Sequence, residues 1–285
     1  MSKPTLIFVP GAYHSPDCYD TVIAKLTPLG YKCIKYALLA APASPSTSVP
    51  VPDLQPDIAA LRSEVESELD ASASANNDVV VVAHSWSGIV ASAALKDLGK
   101  PEREKHGKAN GVRSIAFISA FVPRPGVSLF DSIGGVKPAN WINDEEGWVR
   151  VPNGEEKFYH DLAPAEQAEW TSKLLLHSYA TLYAAADYVA WETIPSRYLV
   201  CDDDRAIPKR LQEAMVQTCL EQGAPMLTEH VWSSHSPFLS QPDVVVGFLR
   251  RAAGEEGVEE MGTIRKHLGW QEAELLWGRH LDNGI

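Results

Sequence analysis

Residues 79–88 read Val-Val-Val-Val-Ala-His-Ser-Trp-Ser-Gly, a run of four valines that leads directly into a serine between small residues. β-Branched valine suits a strand that is covered on both faces, so the run predicts a buried, central parallel strand. Apolar residues then recur at helical spacing over residues 89–98, which predicts a helix directly after the strand. Ser85 therefore lies in a tight turn between a strand and a helix, where the small neighbours Ala83 and Ser87 let the two elements approach closely.

Length and composition limit the possible classes of protein. The 285 residues suffice for one α/β domain with an insertion or for two small domains, and the formal net charge of −12 argues against a nucleic-acid-binding surface. The first apolar run, residues 5–9, is too short for a signal peptide, and no segment is long enough to span a membrane. The cysteines are scattered without C-x-x-C spacing, so we expect reduced thiols and a cytoplasmic location rather than a zinc site or disulfides. They are Cys18, Cys33, Cys201 and Cys219.

Apolar runs alternate with helical stretches along most of the chain, which predicts a parallel sheet with right-handed crossovers. The predicted strands are residues 5–9, 33–36, 79–82, 114–119, 197–201 and 227–231. The alternation stops between Val122 and Thr193, where helices are predicted only at residues 165–176 and 180–191. The predicted fold class is therefore α/β, with a mostly parallel central sheet flanked by helices and a small helical cap insertion over its carboxyl edge.

These patterns predict four segments. They are a first part of the core (1–122), a helical cap insertion (123–193), a second part of the core (194–254) and a C-terminal helical extension (255–285). Residues 37–52, rich in Ala, Pro and Ser, predict a long surface excursion, and residues 100–110 a charged loop. The amphipathic extension is expected to pack on its own body, with homodimerisation as the alternative, so monomer and homodimer both stay open.

Three polar residues follow three of the predicted strands. A serine hydroxyl is a poor nucleophile at neutral pH and needs a base that a carboxylate orients. Ser85, Asp204 and His235 each follow a predicted strand, and the carboxyl ends of parallel strands share one edge of a sheet. We therefore expect these three side chains to converge as nucleophile, acid and base. Asp203 is the main alternative for the acid, and Asp202 is the third candidate.

Acyl transfer also requires N–H donors aimed at the developing oxyanion. The backbone N–H of Trp86 follows the serine, and the N–H of Ala12 lies in the turn after the first strand. Further candidates for substrate contacts are Tyr13 and His14 in that turn, and Trp141 and Trp148 in the insertion. The alternatives are a solvated loop for His14 and a role in the insertion's own core for the tryptophans.

The other histidines do not indicate a second catalytic site or a metal site. We interpret His84, inside the turn, as a packing residue, and His160, His177 and His230 as residues of the cap or the surface. No two histidines have the i, i+4 spacing typical of a helical metal site. We therefore expect neither a metal ion nor a cofactor, and the expected partner is a small-molecule substrate.

Four segments together resemble the α/β-hydrolase superfamily. They are F-V-P-G-A-Y-H (8–14), A-H-S-W-S-G (83–88), C-D-D-D-R-A-I-P (201–208) and S-S-H-S-P-F-L-S-Q-P (233–242). Over residues 3–251 the chain is most similar to the small-cap serine esterase branch, which includes plant methyl esterases and hydroxynitrile lyases. The resemblance implies that Ser85 is the nucleophile, His235 the base and Asp204 the acid. It also implies that Ala12 and Trp86 donate to the oxyanion.

The residues and the resemblance together predict a cofactor-independent serine hydrolase. It would cleave a carboxylic ester or lactone of a small, largely apolar molecule through an acyl-enzyme. Hydroxynitrile lyases of this branch carry a lysine after the catalytic histidine, where this chain has Ser236, which argues against cyanogenic chemistry. Two alternatives stay open: a carbon–carbon lyase or cyclase that uses His235 as base, and a catalytically inactive ligand-binding protein.

Overall fold

A computed structural model describes residues 2–44, 48–71, 77–135 and 146–259, together with the backbone of residues 142–143. Most of the predicted C-terminal extension, residues 260–285, lies outside these ranges, as does Trp141. The roles predicted for them therefore stay predictions.

The core of the structure is a parallel sheet of six strands. The strands of the chain are β1 (Thr5–Val9), β2 (Cys33–Lys35), β3 (Val79–His84), β4 (Val112–Ile118), β5 (Ile142–Asn143), β6 (Trp148–Arg150), β7 (His177–Ser178), β8 (Ser196–Cys201) and β9 (Met226–Val231). The sheet has the order β2-β1-β3-β4-β8-β9, and each neighbouring pair is parallel. The predicted fold class is confirmed.

Helices cover both faces of this sheet. The helices of the described residues are α1 (Asp20–Leu26), α2 (Gln55–Ala71), α3 (Ser87–Ala94), α4 (Lys100–Lys105), α5 (Leu129–Ser132), α6 (Gly154–Phe158), α7 (Pro164–Ser172), α8 (Lys209–Glu221), α9 (Pro237–Ser240) and α10 (Pro242–Ala252). Helices α2, α3 and α8 pack on one face, and α1 and α10 pack on the other. None of the described helices is long and apolar enough to cross a membrane.

The valine strand β3 lies near the middle of the sheet, between β1 and β4, and all six of its residues are buried. Successive side chains of a strand point to opposite faces. Accordingly Val79 and Val81 belong to one hydrophobic cluster, and Val80 and Val82 to the other. A continuous apolar run is therefore what this position in the sheet requires.

The insertion between β4 and β8 differs from the expected helical cap. It contains α5, α6 and α7, but also a three-stranded antiparallel sheet in the order β5-β6-β7. In place of the helix predicted over residues 180–191, the chain forms two short 3₁₀ turns, Tyr179–Leu182 and Ala190–Glu192, with irregular backbone between them. Strands of two or three residues carry too few side chains to show a period of two, so the sequence pattern did not reveal them.

Two loops are also more ordered than predicted. Helix α4 occupies the first half of the expected charged loop, residues 100–110. In the Pro-rich excursion, Leu38, Ala40 and Ala41 are buried. The backbone N–H of Ala40 donates to the carboxylate of Asp57, on α2, at 2.9 Å. The prediction of a surface excursion is therefore wrong for Leu38, Ala40 and Ala41, because a buried carboxylate holds this backbone against the core, whereas Leu39 is exposed.

Gly88, in the first turn of α3, allows the close approach that the turn at Ser85 requires. A Cβ atom at this position would lie 2.2 Å from the backbone carbonyl oxygen of Phe121. We expect Gly88→Ala to lower the free energy of unfolding by roughly 3 kcal/mol, because backbone atoms must shift to relieve the overlap. Chemical denaturation measures this loss.

The matched control is Gly247→Ala in α10, where the added Cβ would meet only the end of the Arg251 side chain, at 3.2 Å. That variant should stay within about 1 kcal/mol of the parent, since alanine also favours the helix. Equal stability of the two variants would contradict the close-packing explanation.

Candidate active site

Ser85 lies between β3 and α3 with a backbone φ of 55°, in the left-handed region that non-glycine residues rarely adopt. The hydroxyl of Ser87 accepts a hydrogen bond from the backbone N–H of His84 at 3.0 Å. The same hydroxyl lies 3.0 Å from the carbonyl oxygen of Val9 at the end of β1. The Ser87 hydroxyl therefore connects the turn to the neighbouring strand β1 through hydrogen bonds. Backbone strain at a single residue persists only where its surroundings hold it, and it is frequent at functional sites.

The candidate base His235 and the candidate acid Asp204 lie together at the same edge of the sheet. The Nδ1 atom of His235 lies 2.7 Å from Oδ2 of Asp204, and both side chains are buried. The other carboxylate oxygen accepts the backbone N–H groups of Ala206 at 2.7 Å and Ile207 at 2.8 Å. The amide of Gln212 donates to Oδ2 at 3.1 Å. With Asp204 ionised, Nδ1 of His235 carries the proton, which leaves Nε2 free to act as a base.

The other two candidates for the acid have different partners. Asp202 accepts from His230 at 2.9 Å and pairs with Lys209 at 2.5 Å. Asp203 lies 3.1 Å from Nε2 of His160. Of the three consecutive aspartates, the structure therefore brings Asp204 to His235.

Two side chains hydrogen-bond to the backbone carbonyl of His235. Its carbonyl oxygen lies 2.9 Å from Nε2 of His84 and 3.2 Å from the hydroxyl of Ser119, which donates to it. The rings of His84 and His235 are 4.5 Å apart, centroid to centroid. Because a carbonyl only accepts, Nε2 of His84 is the donor, and the residue next to Ser85 therefore anchors His235 directly.

The hydroxyl of Ser85 makes no hydrogen bond with any described residue, His235 included. Hydrogen bonds between a nucleophile and its base commonly tighten only in the complex with substrate. The structure thus places Ser85, His235 and Asp204 at one edge of the sheet, with only the His235–Asp204 bond formed.

A cavity of about 460 Å³ lies beside Ser85. Its walls are largely apolar, and they include Phe121, Leu129, Ile133, Val151, Phe158 and Leu182. Ala12 and Trp86 also line it. Their backbone N–H groups have no hydrogen-bond acceptor within the described ranges. Two unbonded donors therefore flank the serine, as oxyanion stabilisation requires.

The predicted substrate contacts divide into two groups. Tyr13 lines the cavity, with φ at 70°. His14 does not: its Nδ1 donates to the carbonyl of Ala12 at 2.7 Å, and its Nε2 accepts from the hydroxyl of Tyr159 at 2.8 Å. Trp148 is buried in β6 and does not line the cavity either. The structure thus places both outside the lining of this cavity, because the two ring nitrogens of His14 hold the turn and Trp148 lies in the interior of the insertion. Their predicted substrate contacts stay predictions.

The insertion is attached directly to the loops that carry the acid and the base. Ser234 donates its backbone N–H to Asp161 at 2.8 Å and its hydroxyl to the carbonyl of Phe158 at 2.9 Å. His160 contacts Asp203, the neighbour of the acid. A shift of this part of the insertion would therefore move the loops on both sides of the site.

Three buried histidines surround the site, and they are neutral. Desolvation lowers the pKa of His14 to about 4, that of His177 to about 3, and that of His84 well below its usual value. The ring of His177, in β7 of the insertion, packs edge-on against Trp86, 4.6 Å away, so this residue lies in the predicted cap segment. His230 is buried in β9, outside the insertion, so the expectation of a cap or surface position is wrong for that residue.

The lowered pKa values predict acid sensitivity. The unfolded chain protonates histidine near pH 6.5, whereas folded His177 resists protonation down to about pH 3. The stability that this residue contributes is therefore complete above pH 6.5 and is lost as the pH falls towards 3. We expect His177→Gln to reduce the slope of unfolding free energy against pH by up to about 1.4 kcal/mol per pH unit in this window. Denaturant titrations at several pH values measure it.

The control for this prediction is His106→Gln, at an exposed position. An unchanged slope in the His177 variant, or the same change in both variants, would contradict the assignment.

Sequence reasoning missed several residues of the site. Gln212 shares a helical face with Met215 and Cys219, so a polar residue in an otherwise apolar stripe was a signal that pointed to it. Ser119, at the end of β4, and Lys157, which lines the cavity, carried no such signal. In the described part of the chain, no three His, Cys, Asp or Glu side chains are grouped to hold a metal ion.

Known proteins are similar to this chain in sequence and in fold. Residues 6–248 match the Alpha/beta hydrolase family. The chain is 32% identical to the Alpha/beta hydrolase nvfD of Aspergillus novofumigatus over 260 residues, which is 90% of this chain and 98% of that protein.

Solved structures agree at the level of the fold. A pyrethroid hydrolase from Sphingobium faniae JZ-2 aligns over 89% of this chain and 98% of its own, with a TM-score of 0.65 and 19% identity. The methylesterase MES16 from Arabidopsis aligns over 88% and 99%, with a TM-score of 0.62 and 18% identity. The predicted resemblance is thereby confirmed for the α/β-hydrolase family, and for methyl esterases at the level of the fold, and the findings support a hydrolase. From the family match and the similarity in sequence, we conclude that this chain belongs to the alpha/beta hydrolase family.

Proposed function

We propose that the protein is a cofactor-independent serine hydrolase that cleaves a carboxylic ester or lactone of a small, largely apolar molecule. The observation that carries this proposal is the buried 2.7 Å pair of His235 and Asp204, at the same edge of the sheet as the strained Ser85. The unbonded N–H groups of Ala12 and Trp86 and the apolar cavity add support. Family membership favours hydrolysis, and the methylesterase among the structural neighbours suggests an ester.

In the proposed reaction, Ser85 Oγ attacks the carbonyl carbon while Nε2 of His235 takes the hydroxyl proton. Asp204 keeps the proton of the neutral ring on Nδ1 and stabilises the imidazolium that forms. The negative charge that develops on the carbonyl oxygen is bound by the N–H groups of Ala12 and Trp86. The carbon–oxygen bond then breaks, and the alcohol leaves with the proton from His235.

Water completes the cycle. His235 takes a proton from a water molecule, which attacks the acyl-enzyme, and Ser85 regains its proton as the carboxylic acid leaves. For a lactone the alcohol and the acid belong to one product. The buried position of the His235–Asp204 pair favours this series of steps. Water is excluded from the pair, so the charge of Asp204 acts strongly on the imidazolium when the ring becomes charged.

Release of p-nitrophenolate from p-nitrophenyl acetate tests the proposal, with the protein first treated with EDTA. We expect turnover that EDTA leaves unchanged. In water enriched in ¹⁸O, the label should enter the acetate product, since water cleaves the acyl-enzyme.

Absence of turnover with this ester and with a panel of small aryl esters and lactones would contradict the proposal. In that case a lyase or cyclase that uses His235 as a base, or an inactive ligand-binding protein, becomes the better account.

A further inference from the structure

Lys157 is the only charged side chain among the described residues that line the cavity beside Ser85. The remainder of the lining is aliphatic, aromatic or carries a hydroxyl group. A charged group at an apolar surface loses hydration, and it requires a partner of opposite charge to recover that free energy. The ammonium group of Lys157 therefore requires an anionic partner at this position.

No described residue provides such a partner. Among the ion pairs and hydrogen bonds of the described residues, none involves the ammonium group of Lys157. The adjacent Glu156 pairs instead with Arg205, at 2.5 Å, and Glu155 is exposed. In a chain with a net charge of −12, acidic side chains are plentiful, so a lysine with no partner among the described residues is unusual.

Lys157 is partly buried, and burial lowers its pKa. A lysine that merely extends into water keeps its hydration and needs no partner. Partial desolvation instead raises the gain from an anion, because the attraction between two charges is stronger where water is partly excluded.

The helix that carries Lys157 also reaches the catalytic residues. Phe158, the next residue on α6, has its ring 5.6 Å from the ring of His235. The carbonyl of Phe158 accepts the hydroxyl of Ser234, the residue before the base. The backbone at Lys157 is therefore fixed relative to the catalytic loop before any ligand binds, which lowers the entropic cost of recognition.

We propose that Lys157 is a recognition residue and that the substrate is an apolar ester or lactone with a carboxylate or similar anionic group. Lys157 binds this group while the reacting carbonyl lies at Ser85. The inference rests on the proposed function for the identity of the reacting group. A cavity of about 460 Å³ is large enough for a small molecule that carries both groups.

The test uses two ligands of nearly equal shape: monomethyl terephthalate, which carries a carboxylate, and methyl 4-carbamoylbenzoate, which carries a neutral amide. Calorimetry measures the Kd of each with full-length Ser85→Ala protein, in which neither ester is hydrolysed. This separates recognition of the substrate's own anion from binding of the acid that hydrolysis releases. We expect the carboxylate ligand to bind roughly 10- to 100-fold more tightly.

Adding Lys157→Gln should abolish that preference, whereas Lys157→Arg should retain most of it. The matched control is Lys105→Gln, which removes one exposed charge from α4 and should leave the preference unchanged. Unfolding midpoints of all variants show whether the fold is intact. Equal binding of the two ligands with Lys157 present, or a preference that survives Lys157→Gln, would overturn the inference.

If the proposed function is wrong, these experiments give a different result. In that case the protein with an intact Ser85 hydrolyses neither ester, whatever the binding preference. A protein that turns over the neutral ester but shows no preference for the carboxylate ligand retains the proposed function and overturns only the role of Lys157.

Discussion

Replacing Ser85 by alanine is expected to lower kcat for p-nitrophenyl acetate by roughly five to six orders of magnitude, to near the background rate. The alanine removes the only atom that forms the acyl-enzyme, while the N–H donors of Ala12 and Trp86 stay in place. The left-handed backbone at this position is held by contacts that alanine does not alter, since the Ser85 hydroxyl makes no hydrogen bond with described residues. The fold should therefore be retained. Stopped-flow and steady-state assays measure the loss.

The matched control is Ser92→Ala in α3, seven residues after Ser85. The hydroxyl of Ser92 is buried, and it has no hydrogen-bond partner among the described residues. Its loss should leave both activity and unfolding free energy close to the parent values, because no bond is broken. If Ser85→Ala kept more than about a hundredth of the parent kcat, Ser85 would not be the nucleophile.

Asp204→Asn is expected to lower kcat by roughly four orders of magnitude. The carboxylate of Asp204 accepts the Nδ1 proton of His235 at 2.7 Å. An asparagine can turn its amide group towards the ring and favour the tautomer with the proton on Nε2, which cannot accept the proton of Ser85. The amide also lacks the charge that stabilises the imidazolium.

Asp203→Asn is the matched control for this effect, since the two aspartates are adjacent and only one contacts His235. Asp203 lies against His160 and its side chain is partly exposed, so we expect less than a tenfold change in kcat. Stability must be compared as well, because Asp204 also binds the N–H groups of Ala206 and Ile207. A larger loss of activity from Asp203→Asn than from Asp204→Asn would reverse the assignment of the acid.

The parts of the site that the sequence predicts lie at the ends of long central strands. Four valines in a row signal a strand buried on both faces, and the small residues after them signal a tight turn. Asp204 and His235 follow strands in the same way, so parallel topology alone brings them to one edge. The structure brings them together there, and only the choice among three consecutive aspartates required side-chain geometry.

The insertion was less predictable for a physical reason. Its elements are two to nine residues long, and their packing depends on contacts with distant parts of the chain, such as the bond from Ser234 to Phe158. Which aromatic ring enters the cavity then depends on the direction of each side chain. Trp148 is buried in the small sheet, whereas Phe158 lines the cavity. Composition indicates an aromatic insertion but does not distinguish these two rings.

The sequence also predicts the turn after β1 only in part. Its sequence indicates an N–H donor at Ala12, which depends on backbone geometry alone. The role of His14 depends instead on Tyr159, which lies 145 residues further along the chain. Because no local pattern reports such a contact, proximity in sequence predicts a substrate contact at His14, whereas the structure places the residue outside the cavity lining.

The most direct test of Ser85 as an activated nucleophile is the mass of the protein after exposure to a fluorophosphonate probe. We expect one covalent adduct per chain, located by peptide sequencing at Ser85, and no adduct in the Ser85→Ala variant. An unmodified protein, or an adduct that forms equally well in that variant, would contradict the claim that Ser85 is an activated nucleophile.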